Sequence, residues 1–242
     1  MASNNNMIGM GLVEHVPASG PAVSFDLYGT LLDVLAPLHA LQSEMSPTGT
    51  FLIERWRGLL MEYTLMAALM ETRESFWTLT RRALCNAAQQ IGGLETEGLE
   101  DALLDAFRAP GLYQDSLATL VKLHEMGCRM TVLSNGDVAM IGAAVRSTGI
   151  AGYFEAVVSA NSLGPYKPAA SAYKAIVQHF DREPGQIVHV TANPWDAAGA
   201  RRAGLKAIWI RDPGTDFPYG QPIDEVGALG DVLKVVKNIS GR

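Results

Sequence analysis

The chain has 242 residues, 48% of them hydrophobic, with 19 basic against 25 acidic side chains and a net charge of −6. That negative balance excludes binding driven by nucleic-acid phosphates, and the apolar content fills roughly one to two domains with a core larger than a disulfide-stapled miniprotein holds. Cys85 and Cys128 are the only cysteines and belong to no CxxC or Cys/His cluster, so neither a disulfide framework nor a structural zinc site is indicated and a reducing cytoplasm fits.

Residues 1–20 contain neither Lys nor Arg and are interrupted by Asn4, Asn5, Asn6, Glu14 and His15. They lack the basic start and apolar run of a secretion signal and read as a flexible extension. Ala22 to Tyr28 mixes apolar and β-favouring residues before Gly29 and Thr30, the pattern of a buried strand that delivers Asp26 to a turn. From Pro37 to about Pro110 the period becomes helical, with helices expected over 51–70, 75–91 and 97–107, broken by Gly92, Gly93 and Pro110. Even the most apolar of them, 51–70, carries Glu54, Arg55, Arg57 and Glu62, and nowhere do about 18 apolar residues run uninterrupted, so no membrane span is expected. Beyond Tyr113 helices and strands alternate: helix 116–126, strand 130–133, helix 138–148, strand 156–159, helix 169–180, strand 187–191, helix 196–203, strand 207–210 and a last helix over 231–237. Such alternation predicts an α/β fold, a parallel sheet wrapped by helices, with ligands at the carboxyl ends of the strands.

Four short segments fall at those ends: Asp26 to Thr30, Ser134 to Gly136, Tyr166 to Pro168 and Asn193 to Asp196. In a doubly wound sheet such loops converge on one crevice, so a carboxylate, a hydroxyl with an amide, a lysine and a second carboxylate share a site. Taken singly each residue has a plainer reading. Asp26 is then a turn former, Lys167 a solvated lysine, Asp196 a helix cap, Arg57 a snorkelling arginine, and Phe76 and Trp195 packing aromatics. Their joint occurrence points to chemistry. His15, His39, His124, His179 and His189 match no motif and read as structural or surface residues with no general-base role.

The runs Phe25-Asp26-Leu27-Tyr28-Gly29-Thr30-Leu31, Leu133-Ser134-Asn135-Gly136, Tyr166-Lys167-Pro168 and Asn193-Pro194-Trp195-Asp196-Ala197-Ala198-Gly199-Ala200-Arg201, in this order, resemble the haloacid dehalogenase superfamily and, more narrowly, its L-2-haloacid dehalogenase branch, over nearly the whole chain. Trp56-Arg57 followed by Glu62-Tyr63-Thr64 is similar to that family's substrate-arginine helix. The resemblance implies a Rossmann-like doubly wound parallel sheet core, residues 21–36 and 111–242, closed by an inserted helical cap, residues 37–110. It implies a small 2-substituted carboxylic acid as substrate, no cofactor and no metal. It also implies a homodimer, for which the apolar helix at 51–70 offers more hydrophobic surface than a cap needs.

Most members of the superfamily are magnesium-dependent phosphatases, in which a second Asp, two residues after the nucleophile, protonates the departing alkoxide; here that position is Tyr28. Aligning their metal-binding acidic segment on Asp196 leaves Ala192 where its first acid belongs, which removes a carboxylate that Mg²⁺ uses. Displacement at carbon needs neither group. A carboxylate attacks C2, expels a halide that requires no proton, and forms an ester that water then cleaves. Attack from behind inverts C2, so an L-2-haloacid leaves as the D-2-hydroxy acid.

On this resemblance Asp26 is the nucleophile, and the catalytic set is Asp26, Lys167, Asp196, Asn193, Arg57, Ser134 and Thr30. Lys167 balances the charge of Asp26, and Arg57 holds the leaving halide or the substrate carboxylate. Ser134 and Asn135 donate hydrogen bonds to a carboxylate, while Thr30 and the main-chain N–H groups after Asp26 orient the nucleophile. Asn193 and Asp196 position Lys167 and the hydrolytic water. Tyr28, Met61, Phe76 and Trp195 wall the C2 substituent against water, and Tyr173 is counted among the substrate-binding residues.

Departures cluster at the same place. Thr191 and Ala192 stand where many dehalogenases have two serines before the Asn, Pro194 follows that Asn, and Gly58 follows Arg57 where a glutamine is common. Ala192 and Gly58 remove polar groups and re-shape the pocket, which bears on the leaving group more than on the nucleophile. The related azetidine-2-carboxylate hydrolases open a strained ring at C2 through an amine that also leaves without a general acid, and this stands as the alternative. A phosphatase, or a catalytically silent homologue that binds a carboxylate or a partner protein, completes the set of readings.

Overall fold

A computed structural model describes residues 7–9, 19–42, 48–92, 98–219 and 224–239. Along the chain run β1 (Met7–Gly9), β2 (Ala22–Phe25) and β3 (Leu32–Asp33); the helices α1 (Leu35–Gln42), α2 (Thr48–Leu69), α3 (Phe76–Ile91) and α4 (Leu99–Arg108); and β4 (Gly111–Leu112). There follow α5 (Ser116–Glu125), β5 (Arg129–Ser134), α6 (Val138–Ser147), β6 (Ala156–Ser159), α7 (Ala160–Leu163), α8 (Lys174–Phe180), β7 (Ile187–Thr191), α9 (Pro194–Arg202), β8 (Lys206–Ile210), β9 (Asp224–Val226) and α10 (Val232–Ile239).

The main sheet has the order β1-β6-β5-β2-β7-β8-β9 and is parallel except for β1, which pairs antiparallel with β6. From β2 the chain steps out to β5 and β6 on one side, then crosses back to β7, β8 and β9 on the other. The reversal falls at β2, the position where doubly wound sheets open a crevice. Asp26 is the first residue past β2, Ser134 ends β5 and Thr191 ends β7, so the three strand ends around the reversal all carry site residues.

Strands β2, β6 and β7 are buried along their whole length, as parallel strands covered on both faces must be, and their Val and Ile content suits that surroundings. One face packs Val23, Phe25, Val132 and Val190 against Ile141 and Val145 of α6 and Val236 of α10. The other packs Ala22, Leu133 and Val158 against Ile176 and Phe180 of α8 and Ala197 and Ala200 of α9. Each fully buried large aliphatic side chain contributes about 1.5–3 kcal/mol, which makes these two layers the main source of stability.

The chain leaves the sheet along β3 and returns along β4, two strands paired antiparallel with Leu32 opposite Leu112. Between them α1 to α4 build a separate core from Leu52, Trp56, Leu79, Leu84, Leu103 and Phe107. The Trp56 indole is buried there without an orphaned donor, because its Nε1 donates to the Thr80 main-chain oxygen at 2.9 Å. Hydrogen bonds fasten this helical insertion to the sheet layer around the start of α3. The Asp137 carboxylate, just ahead of α6, accepts the Phe76 and Trp77 N–H groups at 3.0 and 2.8 Å. These open α3 and have no partner within their own helix. Tyr166 Oη and Asn161 Nδ2 both donate to the Glu74 main-chain oxygen, at 2.6 and 3.0 Å.

Several elements differ from the sequence reading, which also lacks β3, β4, α7 and β9. Within the extension at 1–20, Met7–Gly9 is an edge strand that covers the open side of β6, a common protection for a sheet edge. Residues 1–6 and 10–18 of that extension, and the expected helix start at Glu97, lie outside the described residues. Helix α1 precedes the first helix expected at 51–70; its Pro37 lies in the first turn, where it removes no needed donor, and Asp33 Oδ1 caps the Leu35 and Ala36 N–H groups at 2.9 and 3.0 Å. The expected helix 169–180 is divided, with a 3₁₀ turn at Ala170–Tyr173 ahead of α8. Helix α9 begins two residues earlier than expected, with Pro194 in the first-turn position where proline is favoured.

Candidate active site

At the reversal point a lysine is wholly buried between two acids. Lys167 Nζ donates to Asp26 Oδ1 at 2.8 Å, to Asp196 Oδ2 at 2.7 Å and to the Leu133 main-chain oxygen at 2.9 Å. An ammonium has three donors, and all three are engaged. Burial alone would lower the Lys167 pKa; the Asp196 and Asp26 carboxylates outweigh it and hold the ammonium above its ordinary value. Burial would likewise raise Asp196, yet Lys167 and His189 hold that carboxyl far below the usual carboxylate range. Behind Asp196, Tyr173 Oη lies 2.6 Å from Oδ1; burial and the neighbouring carboxylate push the phenol well up, so it remains a donor.

The second oxygen of Asp26 is held differently. Oδ2 accepts from Thr30 Oγ1 at 2.9 Å, Asn193 Nδ2 at 2.9 Å and Thr191 Oγ1 at 3.4 Å. Oδ1 has only the Lys167 donor among the described residues and keeps a lone pair disengaged. The supports are cross-tied: Thr30 Oγ1 accepts the Ala192 N–H and Thr191 Oγ1 the Asn193 N–H, each at 3.0 Å, which joins the turn after β2 to the turn after β7.

Over Asp26 lies a cavity of about 330 Å³ between the sheet and the helical insertion. Tyr28, Leu60, Met61, Phe76, Phe107 and Trp195 supply its apolar wall, and Ser134, Asn135, Lys167 and Asn193 its polar floor. Arg57, on α2, is exposed, reaches the lining, and forms no ion pair or hydrogen bond among the described residues. The Tyr28 ring stacks on Phe107 with centroids 6.1 Å apart. A Cβ on Gly136 would stand 2.9 Å from Tyr28 Cε2, so only glycine lets the Ser134–Asn135 turn close against that ring. A Cβ on Gly199 would stand 2.6 Å from both Pro168 Cβ and Tyr173 Oη, and its absence lets α9 press against the Lys167 loop.

Ten of the thirteen residues singled out in the sequence therefore line one cavity: Asp26, Tyr28, Arg57, Met61, Phe76, Ser134, Asn135, Lys167, Asn193 and Trp195. Thr30 and Asp196 stand behind it, hydrogen-bonded to Asp26 and Lys167. Several details differ. Tyr173 does not reach the cavity and is a support of Asp196, because the 3₁₀ turn aims it beneath α9. The Asn135 amide grips the Lys167 main chain, Oδ1 accepting its N–H at 2.8 Å and Nδ2 donating to its carbonyl at 3.2 Å. Asn193 bonds Asp26 and not Lys167. The Gly29 and Thr30 N–H groups go to the Leu32 and Leu27 carbonyls, so side chains orient the nucleophile. Of the two roles expected for the histidines, structural or surface, His189 takes the structural one: it is wholly buried and its Nε2 lies 3.1 Å from Asp196 Oδ2. Its signal was alternation along β7, which puts residue 189 on the same face as Thr191.

A doubly wound sheet that pairs a strand-end carboxylate with a buried lysine, under a mostly apolar cavity, is the layout of a hydrolase working through an enzyme-bound nucleophile. Residues 21–204 match the family model of haloacid dehalogenase-like hydrolases, and the chain belongs to that family. It is 29% identical to (S)-2-haloacid dehalogenase 4A of Burkholderia cepacia, over 90% of this chain and 96% of that one. With (S)-2-haloacid dehalogenase 1 of Pseudomonas sp. (strain CBS-3) it shares 32% identity over 78% of this chain and 83% of the relative. The fold superposes with a TM-score of 0.80 on L-2-haloacid dehalogenase from Xanthobacter autotrophicus with chloropropionic acid covalently bound, at 26% identity over 90% and 98% of the two chains.

Proposed function

We propose that the protein hydrolyses L-2-haloacids to D-2-hydroxy acids without a metal, Asp26 being the nucleophile. The observation that carries this reading is the unequal treatment of the two Asp26 oxygens. Oδ1 keeps a lone pair for attack on C2, while Oδ2 sits among Thr30, Asn193 and Thr191. In the ester Oδ2 is the carbonyl oxygen, and when water adds to that carbon the negative charge grows on Oδ2, within reach of those three donors. The bond from the carbon to Oδ1 then breaks, and Oδ1 departs with the hydroxy acid. Arg57 and Ser134 receive the substrate carboxylate or halide, and the wall of Tyr28, Met61, Phe76 and Trp195 keeps bulk water from the C2 centre. The relatives named as (S)-2-haloacid dehalogenases, and the solved structure carrying a covalently bound chloropropionic acid, support the same chemistry.

Ring opening of L-azetidine-2-carboxylate by the same attack is the second reading. Gly58 bears on it: this glycine lines the cavity beside Arg57 and puts no polar side chain there, which re-shapes the pocket around the leaving group. The test incubates the protein, with EDTA, against L- and D-2-chloropropionate and L-azetidine-2-carboxylate, following chloride and the hydroxy acid. Chloride from the L enantiomer alone, with D-lactate as product, is expected. Ring opening without chloride reassigns the leaving group, and silence on all three revives a phosphatase or a silent binder.

The same proposal assigns residues 21–36 and 111–242 to the catalytic core and 37–110 to its cap. It places the protein in the cytoplasm, which suits two cysteines that belong to no CxxC or Cys/His cluster. Among the described residues no helix is long and apolar enough to cross a membrane. A homodimer completes it, formed through the face of α2 where Phe51, Met66 and Leu69, with Met70 just beyond, stand exposed. Gel filtration is expected to give twice the 26.0 kDa chain mass, and elution as a monomer removes the homodimer.

A further inference from the structure

His189 lies in the middle of β7, and none of the steps above uses it. An imidazole flanked by valines inside a parallel sheet is costly to bury unless both nitrogens are satisfied. Here both are. Nε2 faces Asp196 Oδ2 at 3.1 Å, and Nδ1 faces Ser24 Oγ at 3.2 Å across the β2–β7 pairing. Asp196 accepts from Lys167 and so stands ionised, which places a proton on the Nε2 that faces it, while Nδ1 pairs with the Ser24 hydroxyl. The Tyr173 ring meets the imidazole edge to face at 5.7 Å. Asp196 is thereby gripped by three donors from three parts of the chain: Lys167, His189 and Tyr173.

We propose that His189 is a positioning residue for the second half of the reaction: through Asp196 it holds Lys167 on Asp26 Oδ1 while the ester is hydrolysed. The inference rests on the displacement chemistry proposed above. Its two halves make opposite demands on Lys167. During attack on C2, Oδ1 loses negative charge, so an ammonium beside it opposes the step. During hydrolysis the water oxygen bonds to the Asp26 carbonyl carbon and the bond from that carbon to Oδ1 breaks. The electron pair leaves on Oδ1, the departing alkoxide takes one proton, and the other water proton passes to solvent. An ammonium 2.8 Å from Oδ1 favours that departure. Loosening Lys167 therefore slows hydrolysis more than it slows alkylation.

The experiment follows chloride and D-lactate separately from L-2-chloropropionate, with wild type, His189→Leu and His189→Gln. His189→Leu is expected to release one chloride per site in a burst at near wild-type rate. It then turns over roughly tenfold more slowly with a lowered KM, because the ester accumulates and is seen by mass on the intact chain. His189→Gln, whose amide N–H stands in for Nε2–H, recovers most of kcat. Ser24→Ala keeps the ring and removes only the partner of Nδ1; it carries the same split at smaller size should His189→Leu not fold. A folded His189→Leu with wild-type kcat and no burst overturns the proposal, and so does a lowered kcat without ester build-up, the outcome a merely structural role gives. Wild type that releases no chloride overturns the dehalogenase reading itself, whereas chloride from wild type with unchanged variants overturns the role of His189 alone.

Discussion

Asp26→Asn is expected to lower kcat on an L-2-haloacid by about 10⁴-fold or more while leaving the chain folded and able to bind the acid. The amide withdraws the Oδ1 lone pair that attacks C2, and nothing else in the cavity replaces it: the remaining acid, Asp196, lies behind Lys167 and is covered by three donors. Stability is not the casualty. The buried cluster of Asp26, Asp196 and Lys167 carries two negative charges and one positive, and the substitution brings it to neutrality. Arg57, exposed at the cavity wall, keeps its attraction for the carboxylate, so calorimetric titration is expected to show a Kd within a few-fold of wild type. Intact mass must accompany the assay, since an Asn that deamidates restores the nucleophile. A mass-verified variant with kcat within tenfold of wild type would remove Asp26 from the reaction.

Lys167→Met is the more damaging change to the fold. It leaves Asp26 and Asp196 buried without the cation that both contact, and breaking such a pair costs about 3–5 kcal/mol. A chain of this length loses about 10 °C in Tm for that amount. The pH dependence carries a sign. Lys167 is held above its ordinary value, so its contribution to stability is complete below the usual lysine range and is lost as pH rises past the raised value. Asp196 is held below its own, so its contribution is present above the usual carboxylate range and is lost as pH falls toward the lowered value. Both are in force at neutral pH. In Lys167→Met the acid limb reverses, because protonating a carboxylate now relieves an uncompensated charge. Thermal melts at pH 8 and pH 5 are expected to show the variant far below wild type at the first and closer to it at the second. A gap that widens on acidification would contradict the arrangement.

The parts of this site legible in the sequence share one property. Asp26, Lys167, Asn193 and Asp196 sit in short runs with a fixed order, at strand ends that the alternation of helix and strand already located. Where such a run existed, the sheet only had to bring its loops together. What stayed hidden depends on partners distant in the chain. That the Asn135 amide also braces the Lys167 backbone, 32 residues on, shows only in the fold. Tyr173 looks like a pocket residue until a 3₁₀ turn carries it under α9. His189 has no motif at all, since its meaning lies in the β2–β7 register that sets it opposite Ser24. Local rules give helix and strand; which polar groups meet is a matter of register.

Ser75 caps the third amide of α3, but the first two are bonded across the molecule, and this makes them informative. Among the described residues the Phe76 and Trp77 N–H groups have only the Asp137 carboxylate as acceptor, and that carboxylate belongs to the opposite layer. Any excursion that lifts α3 off α6 frees both at once, while the deeper amides of the same helix keep their i−4 carbonyls. Deuterium uptake at these two positions, set against that at the middle of α3, is thus a gauge of how often the chamber above Asp26 opens. Phe76 is itself part of that chamber's wall. Exchange there reports how often the two layers part, with no label on the acid and no reaction taking place.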